Sequence, residues 1–297
     1  MIMNLPPEKQ ALLDRILSLL APIPGVQAVV LGGSHARGTA RPDSDLDIGI
    51  YYSEEEPFAI ADIQQAAAQL SGRADQEVTG FYVWGAWVNG GGWIHTPSVK
   101  VDFLYRNLDQ VQRTISQAEQ GSTQHDFDQQ PAYGFYSVIY LAETKICLPL
   151  YDPHEQIARL KEQVAIYPPL LKQKTVAGAL WMAEFSLIHA DSFASTGNVY
   201  TTAGALARAA SFITQALFAL NETYFMSDKT ALQEIATFPL QPEGYAEKLS
   251  AVLGQPGLTA LELQQAVRDL RALWAEVVDL TAGAYRSAFR LSDHQAG

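Results

Sequence analysis

Cysteine is almost absent from this chain of 297 residues, which contains a single one, Cys147. One thiol cannot form a disulfide within the chain, and it cannot supply the cysteine sets that typical zinc sites use. The six histidines show no ligand spacing, because they are scattered over positions 35, 95, 125, 154, 189 and 294. The sequence therefore predicts neither a disulfide framework nor a cysteine- or histidine-based metal site.

Basic residues are also few. The chain has 20 Lys and Arg against 32 Asp and Glu, which gives a formal net charge of −12. Binding to nucleic acids without sequence preference needs a basic surface that neutralises phosphates. The charge balance therefore argues against a nucleic-acid partner and favours a small molecule or another protein. A cationic molecule would be the best electrostatic match.

Long apolar segments are missing as well. The chain opens on a polar stretch, MIMNLPPE, which lacks the basic start and apolar core of a signal peptide. No apolar run approaches the ~20 residues that span a bilayer. We therefore expect no membrane segment and a cytoplasmic location.

The remaining composition is that of a globular protein, with 48% hydrophobic residues. The length is typical of about two domains. Strand-like and helical segments share the first part of the chain, whereas helical periodicity rich in alanine and leucine dominates from about residue 108 onward. We predict an α+β protein with a catalytic domain over 1–125, built on a mixed sheet with helices. An all-α helical bundle is predicted over 126–297.

The most informative segment reads LGGSHARGTARPDSDLDIGI and begins at Leu31. An apolar strand predicted over 26–31 leads into a turn at Gly32, Gly33 and Ser34. Such a turn can expose backbone N–H groups and a hydroxyl, which is a common way to hold a phosphate. The start of this segment therefore predicts a phosphate-binding turn.

Two aspartates follow, beginning just over ten residues after the turn. In a strand predicted over 45–52, side chains alternate between the two faces, so Asp45 and Asp47 share one of them. Two neighbouring carboxylates repel each other, and a divalent cation between them removes that repulsion. The alternative is a polar loop with an Asx turn over 43–45.

A stretch rich in β-branched and aromatic residues comes next. Strands are predicted over 77–83, 87–89, 93–95 and 98–105, with the segment Asn89-Gly-Gly-Gly92 as a turn between antiparallel strands. In the last strand, alternation places Lys100 and Asp102 on the face opposite to the apolar side chains. An aspartate in so apolar a strand is costly unless another group satisfies it, so we interpret Asp102 as a third carboxylate of the site. The alternative is an edge-strand aspartate that faces solvent.

The Gly33-Ser34 turn, the ten-residue spacing and the Asp45-x-Asp47 pair together resemble the signature of the polymerase-β-like nucleotidyltransferase superfamily. This group includes the kanamycin and lincosamide nucleotidyltransferases and the minimal nucleotidyltransferases of toxin–antitoxin pairs. The segments Trp84–Trp93 and Val101–Arg106 are similar to a narrower bacterial family of nucleotidyltransferase-domain proteins with a helical C-terminal half.

The resemblance implies transfer of a nucleoside monophosphate from ATP or another nucleoside triphosphate to a hydroxyl, with release of pyrophosphate. Two Mg²⁺ ions would be held by Asp45, Asp47 and Asp102, and Asp102 would also accept the proton of the hydroxyl. The turn at Gly32, Gly33 and Ser34 would bind the β- and γ-phosphates.

Two arginines on the same loop, Arg37 and Arg41, are candidates for phosphate contact. Their alternative role is that of an exposed loop arginine paired with Asp43. Further along, Lys229 and Tyr224 resemble a recurrent Tyr…Lys turn of the narrower family, which would supply another cation to the triphosphate. The alternative there is a plain turn between helices with a capping serine.

The acceptor is predicted to be a small hydroxylated molecule, of which an aminoglycoside or lincosamide antibiotic is one example. Trp84, Trp87 and Trp93 are candidates for its pocket, but aromatic residues in strands more often belong to a core or a sheet face. An alternative enzymatic function is attachment of AMP to a protein such as a toxin. A third alternative is a nucleotide-binding module without chemistry. The sequence leaves open whether a protein partner or a homodimer is involved.

Overall fold

The computed structural model describes residues 5–130 and 132–289. The outermost residues of the two predicted domains, and residue 131, therefore lie outside the described residues. Within these ranges the strands are Ala28–Leu31 (β1), Leu46–Tyr52 (β2), Gly91–His95 (β3), Lys100–Asn107 (β4), His125–Asp126 (β5), Phe135–Tyr136 (β6) and Leu148–Tyr151 (β7).

The helices of the same ranges fill most of the rest of the chain. They are Pro7–Leu20 (α1), Gly33–Arg37 (α2), Ile60–Ser71 (α3), Leu108–Glu119 (α4), Val138–Ile146 (α5), Gln156–Gln163 (α6), Pro169–Ser195 (α7), Val199–Leu220 (α8), Ala231–Ile235 (α9), Tyr245–Gly254 (α10) and Ala260–Leu280 (α11). The predicted α+β class is confirmed, because a mixed sheet with helices comes first and a helical region follows.

Five strands form one sheet in the order β3-β4-β2-β1-β7. β2 and β4 run parallel, whereas the other neighbours in this sheet are antiparallel. β5 and β6 pair separately as a two-stranded sheet. Because β7 belongs to the large sheet, that sheet includes residues beyond position 126.

The described chain divides into two compact units. The first holds residues 5–117, 124–130 and 134–166, and the second holds 118–123, 132–133 and 167–289. The domain boundary at 125/126 was predicted from the change in composition and periodicity along the sequence, and it stays a prediction.

A large hydrophobic cluster of the first unit lies on one face of the large sheet. Along β4, Val101, Phe103 and Tyr105 are fully buried, and they share this cluster with apolar side chains of α1 and α3. Burial of a large apolar side chain stabilises the fold by roughly 1.5–3 kcal/mol. As predicted, alternation leaves Lys100 and Asp102 on the opposite face, where both are only partly buried.

The predicted strands over 77–83 and 87–89 are wrong, because these segments form turns and irregular backbone. A buried side chain, that of Asn89, supplies the reason: its Oδ1 accepts the Tyr82 N–H at 2.9 Å and its Nδ2 donates to the Tyr52 hydroxyl at 2.8 Å. The backbone at Asn89 has a positive φ of 68°. The glycines that follow lead into β3, so they do not join two strands as predicted, and β3 meets β4 through residues 96–99.

The second unit is built around α7, α8 and α11. Apolar side chains along all three helices are buried, and the Trp274 indole of α11 donates to the Leu180 carbonyl of α7 at 3.1 Å. A capping box at Thr259 and Glu262 starts α11.

One helix in the described part of the chain, α8, is long and apolar enough to cross a membrane by length and composition alone. Of its most apolar window, 61% is buried inside the protein, as in the central helix of a folded core.

Candidate active site

The Gly-Gly-Ser turn lies directly after β1 and against the start of β2. The Gly32 N–H donates to the Asp47 carbonyl at 2.8 Å, so the pairing of the two strands extends one residue past β1. Gly33 has a positive φ of 56°, and a Cβ at this position would overlap Oδ2 of Asp47. Glycine at position 33 therefore allows the Asp47 carboxylate to approach the turn closely.

The parallel pairing of β2 with β4 brings two of the predicted carboxylates together. Asp47 and Asp102 are direct neighbours in the register, and Asp45 immediately precedes β2. The side chains of Asp45 and Asp102 are 39% and 19% exposed, so Asp102 is the more enclosed of these two. The structure thus brings Asp45, Asp47 and Asp102 to one place, while their roles as metal ligands stay a prediction.

A lysine that the sequence analysis left without a role lies among these carboxylates. The Lys100 Nζ atom is 3.0 Å from Oδ2 of Asp45 and 3.1 Å from Oδ1 of Asp102. It donates a hydrogen bond to Asp45 and a longer one, at 3.4 Å, to Oδ2 of Asp102. The ammonium group therefore bridges the loop before β2 and strand β4.

The site has more negative than positive charge, and its pKa values reflect this. Burial, followed by the charges of Asp102, Asp45 and Glu143, raises the pKa of Asp47 to about 6. Burial also raises the pKa of Asp102, although Lys100 opposes the change. Burial lowers the pKa of Lys100, but its hydrogen bonds to Asp45 and Asp102 and their charges raise it overall. A further cation would relieve the carboxylates.

The donor atoms at this site suit a divalent ion such as Mg²⁺, which prefers oxygen ligands. The buried Oδ1 atom of Asp102 has no hydrogen-bond partner in the described chain, since the Lys100 ammonium approaches it in a direction that makes none. Over residues 5–130 and 132–289, however, no group of three or more Asp, Glu, His or Cys side chains converges as a metal site. The carboxylates therefore fit the ion as donors, but they do not form a closed ligand set.

Comparison with known proteins identifies this region. Residues 12–85 match the family model of the nucleotidyltransferase domain, a range that includes the Gly-Gly-Ser turn and both aspartates of β2 and its preceding loop. The chain carries a nucleotidyltransferase domain. The recognition of the polymerase-β-like superfamily is thereby confirmed, and the protein is a nucleotidyltransferase enzyme.

Among solved structures, the chain is similar to a nucleotidyltransferase-like protein from Exiguobacterium sibiricum 255-15, with 10% identity and a TM-score of 0.45. That match covers 93% of this chain and 78% of the other. No curated protein matches the sequence.

A second lysine fixes the loop of the nucleotidyltransferase domain. The Lys9 Nζ atom of α1 donates to the Ser44 carbonyl at 2.7 Å and lies 3.3 Å from Nε2 of His35. Burial and the nearby Lys9 charge lower the pKa of His35. Lys9 thus links the residues after the Gly-Gly-Ser turn to those before Asp45.

The sequence contains a signal for each of these two lysines. Lys9 lies on the helical stripe of α1 that also carries Leu12, Leu13 and Ile16, and a lysine on such a stripe needs buried acceptors. Lys100 shares the strand face of Asp102, which the alternation of β4 already indicates. The acceptors themselves, on other elements, could not be read from either pattern.

The two loop arginines have different surroundings. Arg41 forms an exposed ion pair with Asp43 at 3.2 Å, as in the alternative interpretation of this residue. Arg37 is the last residue of α2 and is partly buried. Its contact with phosphate stays a prediction.

Lys229 and Tyr224 belong to the second unit. Tyr224 is buried and its ring stacks on that of Tyr167 at 4.7 Å, whereas Lys229 is exposed and its N–H donates to the Ser227 hydroxyl at 3.2 Å. This serine–backbone bond is the turn geometry of the alternative interpretation. The contact of Lys229 with a triphosphate stays a prediction.

The three tryptophans of the first unit divide into two kinds. Trp87 is buried and stacks on Phe135, so it belongs to the core. Trp93 is 57% exposed, stacks on Trp84 at 5.0 Å and pairs directly with Asp102 in the register of β3 and β4. Because directly paired residues of antiparallel strands point to the same face, the Trp93 indole lies on the carboxylate face of the nucleotidyltransferase domain.

Proposed function

We propose that the protein catalyses the Mg²⁺-dependent transfer of a nucleoside monophosphate, AMP when ATP is the donor, to a hydroxyl of a small-molecule acceptor. The observation that carries this proposal is the parallel register of β2 and β4, in which Asp47 and Asp102 are neighbours beside the Gly-Gly-Ser turn. The nucleotidyltransferase domain over 12–85 supports the reaction class.

In this reaction the acceptor oxygen forms a bond to the α-phosphorus, and the bond from that phosphorus to the β-bridging oxygen breaks, which releases pyrophosphate. Asp102 would take the proton of the hydroxyl. Its raised pKa makes it a stronger base than an ordinary carboxylate. The Gly33 N–H and the Ser34 hydroxyl would bind the β- and γ-phosphates, with Arg37 and Lys229 as further candidates.

Asp45, Asp47 and Asp102 are the residues that would hold Mg²⁺, and the resemblance predicts two ions. When bound, Mg²⁺ would neutralise charge on the triphosphate and lower the pKa of the acceptor hydroxyl. The Oδ1 atom of Asp102, which accepts no hydrogen bond, and the raised pKa of Asp47 support the binding of a cation at these carboxylates.

The surroundings of Asp102 support an acceptor that is cationic. The exposed Trp93 indole lies on the same face as three carboxylates with a single ammonium, and an aromatic face attracts cations. Aminoglycoside antibiotics are one class with this chemistry. The net charge of −12 agrees with such an acceptor.

Calorimetry with a non-hydrolysable ATP analogue tests the proposal at its first step. We expect binding that requires Mg²⁺ and that is weakened by Asp45→Ala or Asp47→Ala. A matched control is Asp75→Ala, which removes an exposed aspartate paired with the nearby Arg73. Equal binding of the analogue in EDTA would contradict the proposal. Pyrophosphate release with cationic and neutral hydroxylated molecules then tests the class of acceptor.

A further inference from the structure

The ammonium group of Lys100 has two carboxylate neighbours that come from different elements. Its Nζ atom lies 3.0 Å from Asp45 and 3.1 Å from Asp102, and the lysine side chain is only 33% exposed. A lysine at the surface rarely holds two carboxylates at such distances, because ordering its long side chain costs conformational entropy. The arrangement therefore points to a defined position for a single positive charge between Asp45 and Asp102.

The same position is where a metal ion shared by Asp45 and Asp102 would lie. An ion bridging two carboxylates lies between their oxygen atoms, as the Lys100 ammonium does. A divalent ion and an ammonium within a few ångströms of each other repel strongly, so the two cannot share this position. Asp47, by contrast, makes no ion pair with Lys100 at these distances, so its carboxylate stays available to a cation.

The formal charges at the site also favour a single divalent ion. Three carboxylates and one ammonium leave a charge of −2, which a single divalent ion neutralises. We propose that Lys100 occupies the acceptor-side cation position, so that this protein binds one divalent ion per chain, at Asp45 and Asp47, where two are expected from the resemblance. This inference rests on the proposed function and specifies the number of its metal ions.

Lys100 is, in this arrangement, a positioning residue for Asp102. Its ammonium orients the Asp102 carboxylate that would receive the proton, and it supplies positive charge on the acceptor side. Asp45 and Asp47 would hold the one ion, which would neutralise charge on the triphosphate. The Lys100→Met variant keeps the length of the side chain and removes its charge, which frees the position for a second ion.

The test counts bound Mn²⁺ by electron paramagnetic resonance and calorimetry, with and without a non-hydrolysable ATP analogue. We expect one tightly bound Mn²⁺ per chain in the wild type and in Lys100→Arg, which keeps the cation. We expect two in Lys100→Met, with the second bound at least about tenfold more tightly than any second ion of the wild type. The control Lys248→Met removes a lysine paired with Glu276 in the second unit and should leave the count at one.

Two tightly bound ions in the wild type would overturn the inference while leaving the proposed function intact. A count of one in folded Lys100→Met would overturn it as well, because the lysine would then not occupy an ion position. No Mn²⁺ in the wild type, even with the analogue, would contradict the proposed function itself and the inference with it. The wild-type count is decisive even if Lys100→Met does not fold.

Discussion

Strand β4 carries a charged group near each of its ends, and the two ends differ in how completely their charges are balanced. At the C-terminal end of β4, which we call the far end, Arg106 makes two bonds to Glu143, at 2.8 and 2.9 Å, and donates to the carbonyls of Val88 and Tyr105. At the N-terminal end, which we call the near end, the Lys100 ammonium lies among three carboxylates, and an oxygen of Asp102 has no hydrogen bond. Both ends lie in the same unit and on the same strand.

The difference separates a structural ion pair from a candidate site. Buried polar groups in folded proteins are nearly always satisfied, and unsatisfied ones are a recurrent feature of functional sites. Arg106 is 5% exposed and donates four hydrogen bonds, so it needs no ligand to be stable. The near end keeps excess negative charge and a carboxylate oxygen that accepts no hydrogen bond, as expected of a site for a cation. The following changes test this contrast, from the largest expected effect to the smallest.

The largest effect is expected for Asp102→Asn at the near end. The substitution keeps the size of the side chain and removes the charge that would accept the proton. Turnover should fall by on the order of 10²–10⁴, the usual contribution of a positioned base, while binding of the ATP analogue stays largely intact. Pyrophosphate release with an active acceptor and calorimetry with the analogue measure the two quantities.

The isosteric control at the far end is Glu143→Gln. It should lower the free energy of unfolding and, because the Glu143 charge also acts on Asp47, change analogue affinity far less than Asp102→Asn changes turnover. If Asp102→Asn turned over normally, Asp102 would be structural. If it lost analogue binding and turnover to the same degree, it would be a ligand of the nucleotide-bound ion.

Arg106→Met should have the next largest effect, this time on stability. It leaves the Glu143 carboxylate without its partner next to buried groups, and breaking a buried pair in this way typically costs 3–5 kcal/mol. Because Glu143 keeps 29% of its side chain exposed, we expect a loss of about 3 kcal/mol in urea denaturation.

The matched control for Arg106 is Arg113→Met, which breaks a pair with Glu54 whose two side chains are about half exposed. A surface pair of this kind contributes less than about 1 kcal/mol. Equal losses of unfolding free energy in Arg106→Met and Arg113→Met would show that the Arg106–Glu143 pair contributes no more than an exposed surface pair.

The two ends of β4 also show how far the sequence predicts the site. The alternation in β2 and β4 was enough to place Asp47 and Asp102 on faces away from the core. The parallel register of these strands depends on pairing across about fifty residues, and no local pattern specifies it. For the same reason, the sequence indicated the face of Lys100 but not the carboxylate of Asp45 that it reaches.

In the segment before β3, by contrast, the sequence predicted strands that the structure does not contain. Its aromatic and β-branched residues favour strands by composition, yet the buried Asn89 side chain bonds the Tyr82 backbone and holds a turn there. When a single side chain, and not a neighbouring strand, binds the backbone N–H, no periodic pattern in the sequence indicates it. The helices of the second unit were easier to predict, because their periodicity and the capping box at Thr259 are local signals.

A smaller effect, of opposite sign, is expected for Asp47→Asn in EDTA. The pKa of Asp47 is about 6 in the folded protein and close to 3.8 when unfolded, so the folded state binds more protons between those values. The contribution of Asp47 to wild-type stability therefore falls as the pH rises from about 4 to 6. The asparagine variant does not lose this stability, because asparagine does not ionise. At pH 8 we expect Asp47→Asn to be more stable by about 2–3 kcal/mol, with no difference at pH 3.5.

Thermal or urea unfolding over this pH range measures the gap between the two proteins. Added Mn²⁺ should close it, because a bound cation stabilises the charged form of Asp47. A gap that is constant over the whole range would mean that the Asp47 carboxyl does not titrate between pH 4 and 6.

The smallest effect is expected for Ser34→Ala, in the turn beside Asp47. Among residues 5–130 and 132–289 the Ser34 hydroxyl has no hydrogen-bond partner, so its loss should not change the free energy of unfolding. With a triphosphate bound, the hydroxyl would donate to a phosphate oxygen, and losing a bond to a charged group costs roughly 1–2 kcal/mol. We therefore expect calorimetry to show analogue affinity weakened about 5- to 30-fold. Ser53→Ala is the control, because that serine follows the other end of β2 and its hydroxyl already donates to Asp109 at 3.2 Å. Ser53→Ala should lower stability and leave analogue affinity unchanged. If Ser53→Ala weakened analogue binding and Ser34→Ala did not, the phosphate site would lie away from the Gly-Gly-Ser turn.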